Sequence, residues 1–113
     1  MKNKVIATPY FVSRFKKFRN KFISMDEDIA ALEKELLNDP FTGQNLGANL
    51  FKVRLSSKSK GKGKSGGFRV ITYLMKKLET GYEIYLITIY DKSEETTILK
   101  KDLIQLVKNI SGT

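Results

Sequence analysis

Five of the twelve residues from Lys58 to Arg69, KSKGKGKSGGFR, are cationic, four are glycine and none is acidic. Lys58, Lys60, Lys62 and Lys64 alternate with Ser or Gly, so an extended backbone carries all four ammonium groups on one side. Gly61, Gly63, Gly66 and Gly67 let backbone N–H groups come close to an anion. Arg69 adds a planar fork that grips a phosphate with two hydrogen bonds. The chemistry of this stretch is recognition of a polyanion. The chain has no histidine and no cysteine, which removes disulfides, thiolate catalysis and the usual Cys and His metal sites. Any catalysis has to use Lys, Arg, Tyr or carboxylates.

The charge is concentrated. Residues 51–77 hold nine cations and no acid, which equals the net charge of +9 for all 113 residues. Such a block is the footprint of a polyanion partner, with nucleic acid foremost. An anionic membrane is the competitor, but the block lacks the basic amphipathic helix that such binding uses. Gly63-Lys64-Ser65 has the ending of a nucleotide phosphate loop, yet Lys58 stands where the motif needs its first glycine. A strand follows instead of a helix, so that motif is rejected. The sequence shows neither a signal peptide nor a transmembrane run, and one cytoplasmic domain spanning residues 1–113 is expected.

The elements that must position these cations follow from periodicity. Thr8-Pro9 is a helix start, and Phe11, Phe15, Phe18 and Phe22 then recur at helical spacing and form a core-facing stripe. The opposite face, with Arg14, Lys16, Lys17, Arg19 and Lys21, is read as solvated. Ser24 and Glu27 match a capping box, opening a second helix that turns Ile29, Leu32 and Leu36 inward and ends near Asn38, before Pro40. Residues 25–50 carry six acids and one lysine, expected to compensate much of the first helix's charge. Lys4–Ala7 is an edge strand or a lead-in, and Phe41–Asn49 reads as a loop. Phe51, Val53 and Leu55 alternate with Lys52, Arg54 and Ser56, the period of a half-buried strand with a cationic face. Phe68–Lys76 and Tyr82–Tyr90 are further strands, joined by a turn at Glu79-Thr80-Gly81, the last strand apolar on both faces and so central. From about Thr97, Leu99, Leu103, Leu106 and Ile110 predict a C-terminal helix stopped at Gly112. The expected fold is α+β, a small antiparallel sheet with an N-terminal helix pair and a C-terminal helix packed on it. Tyr73, Tyr82 and Tyr85 are packing residues, while Tyr90, at a strand end before Asp91 and Lys92, is a candidate for the site.

The stretches FKVRLSSKSKGKGKSGGFRVITYL and YEIYLITIYDKSE resemble the toxins of bacterial toxin–antitoxin pairs, in the RelE superfamily and nearest its HigB-like branch. The resemblance covers about Phe51 to Glu94, then the C-terminal helix loosely. It implies the RelE/ParE-like fold and a ribosome-dependent mRNA endoribonuclease acting in the A site of the 30S subunit, by attack of the RNA's own 2′-hydroxyl and so with neither metal nor cofactor. It also implies a cognate antitoxin, a helix-turn-helix protein through which alone operator DNA is engaged. On this resemblance Arg69 corresponds to the phosphate-binding arginine, Lys62 and Lys64 position or deprotonate the 2′-hydroxyl, and Lys92 or Tyr90 lies near the leaving oxygen. Lys52, Arg54, Lys58 and Lys60 bind RNA. Ser93 stands where the RelE pattern commonly has arginine, and no tyrosine follows Tyr90, so acid and base stay open. Two other functions share these features: a ParE-like gyrase inhibitor on the same fold, and a non-catalytic RNA- or DNA-binding module.

Overall fold

The computed structural model describes residues 3–59, 67–77, 81–93 and 100–111. In chain order its elements are β1 (Lys4–Ala7), α1 (Pro9–Lys21), α2 (Met25–Asn38), β2 (Gln44–Gly47), β3 (Leu50–Leu55), β4 (Phe68–Lys77), β5 (Gly81–Asp91) and α3 (Lys100–Ser111). The strands form one five-stranded sheet in the order β1-β5-β4-β3-β2. The three strands expected from the sequence, β3, β4 and β5, pair antiparallel at its centre, and β1 joins β5 in parallel. The sheet is therefore mixed, and the α+β layout of a helix pair before it and one helix after it is as expected.

Helix α1 begins where Thr8 and Pro9 predict. The Thr8 hydroxyl accepts from Phe11 N at 3.2 Å and donates to Leu86 O at 2.9 Å, so the cap also ties the helix to β5. That carbonyl lies where β1 ends at Ala7, beyond which β5 has a strand neighbour on its β4 side only. A register shift between Ile71 and Thr72 leaves Ile87 as the extra residue of a bulge at this point. Two residues on, the Arg14 Nε donates to Ile89 O at 2.8 Å. Helix α1 thus satisfies edge carbonyls that would otherwise template pairing with another chain.

Apolar clusters lie on both sides of the sheet. Phe11, Phe15 and Phe18 of α1 and Met25, Leu32 and Leu36 of α2 cover Phe51, Val53, Leu55, Phe68, Val70, Ile84, Leu86 and Ile89. Leu103 of α3, flanked by half-buried Leu106, Val107 and Ile110, covers Leu50, Ile71, Ile87 and Tyr90. Strand β5 contributes to both clusters, which accounts for its apolar residues at both parities.

Several details depart from the sequence reading. The expected loop 41–49 contains β2, paired with β3 and closed by Ala48 and Asn49, both at positive φ (53° and 63°). This is the twist a two-residue hairpin needs, produced without the Asn-Gly or Asp-Gly pair that usually marks it. Ser24 does precede α2, but its side chain makes no cap bond; its hydroxyl donates to Asp28 Oδ2 at 2.7 Å, and the capping box does not form. Arg19 of α1 meets Asp26 of the acidic segment at 3.8 Å. Of the expected turn only Gly81 is described, at φ 99°; Glu79, Thr80, Thr97, Leu99 and Gly112 lie outside the described residues. No described helix is long and apolar enough to cross a membrane.

Candidate nucleic-acid interface

Antiparallel register brings the strand cations together. Arg54 of β3 pairs with Arg69 of β4, and Arg69 pairs with Tyr90 of β5, so these three side chains form one row across the sheet. Lys52, two residues before Arg54, shares its face, and Lys92, two residues beyond Tyr90, continues that side past the strand end. The turn bearing Lys92 is held by Asp91, whose Oδ1 accepts from Ser93 N at 2.9 Å and Ser93 Oγ at 2.8 Å. Lys92 N also donates to Gly67 O at 3.2 Å, joining the end of β5 to the start of β4.

Lys52, Arg54, Arg69 and Lys92 line one cleft of about 400 Å³, with Thr42, Gly43 and Gln44 of the β2 segment and Glu35 of α2 completing its wall. Gly43 sits at φ 104°, and a Cβ there would lie 2.6 Å from Lys52 O. Only glycine lets this segment approach β3 so closely.

The four cations differ in character. Arg54 and Lys92 are exposed and Lys52 is half-buried, whereas Arg69 keeps 5% of its surface. Its Nη1 donates to Phe68 O at 3.1 Å, which fixes one arm of the fork. Burial holds its pKa below the ordinary arginine value, the positive charge of Arg54 adds to this, and Tyr90 opposes it. A guanidinium remains protonated at neutral pH even so. Arg69 is thus a permanent, partly desolvated cation beside a like charge, and a bound phosphate would relieve both penalties.

The remaining candidates are placed as follows. Tyr90 is buried in the α3-side cluster and touches the site through the row it shares with Arg69. Lys58 does not line the cleft: its Nζ is 3.5 Å from Glu27 Oε2, and it lines an adjoining hollow of about 130 Å³ that shares Arg54 and Glu35 with the cleft. Lys60, Lys62 and Lys64 lie outside the described residues.

The root of their loop is nevertheless clamped. Ser59 N and Ser59 Oγ donate to Ser24 Oγ at 2.9 and 2.7 Å, and Ser24 N donates to Ser59 Oγ at 2.9 Å. Behind them the buried Asp28 accepts from Ser24 Oγ at 2.7 Å and from Lys58 N at 3.4 Å. This network, and Glu35 in the cleft wall, escape sequence reasoning. Ser24 resembles a helix cap, and Glu35 resembles any other solvated acid on α2. The chain matches no model of a known protein family.

Proposed function

We propose that the protein is a toxin-type endoribonuclease that cleaves mRNA by internal transesterification, as the RelE-like resemblance implies. The observation that carries the proposal is the convergence of Lys52 and Arg54 of β3, Arg69 of β4 and Lys92 of the turn after β5 onto one cleft, with Arg69 nearly buried there. In this mechanism the RNA 2′-oxygen attacks the adjacent phosphorus and the P–O5′ bond breaks, leaving a 2′,3′-cyclic phosphate and a 5′-hydroxyl. The 2′ proton passes to a base, and an acid protonates the departing oxygen.

Arg69 holds the equatorial oxygens as charge builds on them, and its preorganisation by Phe68 O and the strand row supports that role. Lys52 and Arg54 bind neighbouring phosphates. Lys92 stands near the leaving oxygen, and Tyr90 supports Arg69 from the buried side. Proton removal falls to Lys62 or Lys64, with Glu35 as the carboxylate in the cleft wall that could take the same part. The ribosomal A site as the place of action, the helix-turn-helix antitoxin and a cytoplasmic location belong to this proposal.

Inducible expression of wild type and Arg69→Ala, with mRNA 5′ ends mapped, tests it. Wild type is expected to arrest growth and create new 5′-hydroxyl ends, and Arg69→Ala to lower cleavage about 100- to 1,000-fold. Growth arrest without new ends would sink the nuclease and leave the gyrase inhibitor or the non-catalytic binding module.

A further inference from the structure

We propose that the flank of α1 carrying Arg14, Lys17 and Lys21 is a second phosphate-contacting surface, along which the RNA backbone runs after leaving the cleft. The identity of the polyanion as RNA rests on the nuclease reading above. The surface itself rests on which way each flank of α1 faces.

Helical spacing divides the polar residues of α1 into two flanks on either side of the Phe stripe. Lys16 and Arg19 share the flank beside α2, where Arg19 meets Asp26 at 3.8 Å. Arg14, Lys17 and Lys21, spaced by three and four, share the other, and the Arg14 Nε bond to Ile89 O shows that this flank follows the free edge of β5. Tyr10, one turn earlier on the same flank, lines a hollow with Ile87 and with Leu106 and Ile110 of α3. The acidic helix α2 therefore lies on the far side of α1 from this stripe.

The stripe is also level with the cleft. The Phe18 ring lies 4.9 Å from that of Phe68, and Phe68 pairs with Asp91, the residue before Lys92. The second half of α1 therefore runs beside the strand end that delivers Lys92 to the cleft. Lys17 and Lys21 are exposed, and neither makes an ion pair among the described residues. No acid occurs before Asp26 in the sequence. Of the described acids on β5 and α3, Glu83 meets Lys77 at 3.5 Å, Asp91 is buried with its Oδ1 accepting from Ser93, and Asp102 is exposed. A cationic row beside the strand end that carries Lys92 is suited to successive phosphates of a strand, where a scattered surplus would serve only solubility.

The test uses 2′-O-methyl RNA, which binds but lacks the attacking hydroxyl. Dissociation constants are measured from about 50 to 200 mM salt for a trinucleotide that fills the cleft and for an oligonucleotide of about fifteen residues. Lys17→Ala/Lys21→Ala is expected to weaken the longer RNA about tenfold and to reduce its log–log salt slope by about 1.4. Trinucleotide binding should be unchanged. Lys16→Ala/Arg19→Ala, which removes equal charge from the other flank, should leave both RNAs nearly unaffected, and circular-dichroism melts confirm that each variant folds. The proposal is overturned if the longer RNA is insensitive to the Lys17/Lys21 pair, if both pairs weaken it equally, or if wild type does not bind it. It is likewise overturned if the Lys17/Lys21 pair abolishes binding to phosphatidylserine vesicles while RNA binding persists. Failure of the nuclease proposal appears separately, as missing 5′ ends in cells, and leaves these slopes to be judged on their own.

Discussion

Arg69 is the residue on which the site turns, because its position opposes stability and favours anion binding for the same reasons. It is nearly buried, it faces Arg54 directly across β3 and β4, and both facts lower its pKa. Like charges directly opposite on neighbouring strands are destabilising, although the exposure of Arg54 lets solvent and salt screen the effect. Arg54→Gln is therefore expected to raise stability by a few tenths of a kcal/mol at low ionic strength. The gain should shrink in about 1 M salt, where the screening length falls to about 3 Å. Urea unfolding at the two salt concentrations measures it, and a loss of stability at low salt would show that Arg54 is held by attractive contacts. The sequence marked Arg69 clearly, since Gly-Phe-Arg opens a strand. Its near burial was hidden, because burial depends on what β3, β5 and the β2 segment place over it.

Elements make the cleft through close backbone approaches. A Cβ on Gly67 would lie 2.2 Å from Leu55 O, and Gly67 O accepts from Lys92 N, so this glycine lets β3 and β4 meet and ties in the end of β5. Gly67→Ala is expected to cost about 1–3 kcal/mol, read from the urea midpoint, and to lower RNA cleavage by displacing Lys92. Full stability in that variant would show that the loop end relaxes without cost. The alternation of Phe51, Val53 and Leu55 with Lys52 and Arg54 made β3 legible, and the Phe stripe made α1 legible, because each element is amphipathic at its own period. Strand β2 was not: Gln44-Asn45-Leu46-Gly47 has no apolar alternation, and its hydrogen bonds are satisfied only because β3 presents an edge. The capping box failed for a related reason. Ser24 and Glu27 have the right spacing, but Asp28 one turn on, and Ser57 and Ser59 from far along the chain, claim the hydroxyl.

The whole molecule divides into an α1/α2 face, rich in aromatic contacts, and a smaller α3 face that shares Tyr90 with the site. Leu103 is the most buried described residue of α3. Leu103→Ala is expected to destabilise by about 2–4 kcal/mol, shown by a lower urea midpoint at unchanged slope. A cost below about 1 kcal/mol would mean that α3 is dispensable for the sheet. Composition and periodicity carried the amount of charge, its absence of acids over residues 51–77, the three central strands and the three helices, since each of these follows from local order along the chain. The membership of the cleft followed from folding. Register placed Arg54 beside Arg69, the turn at Asp91 brought Lys92 to them, and α2 drew Lys58 to Glu27 and set Glu35 in the wall. Which charges meet depends on strand pairing between residues far apart in sequence, and that is a property of the assembled sheet.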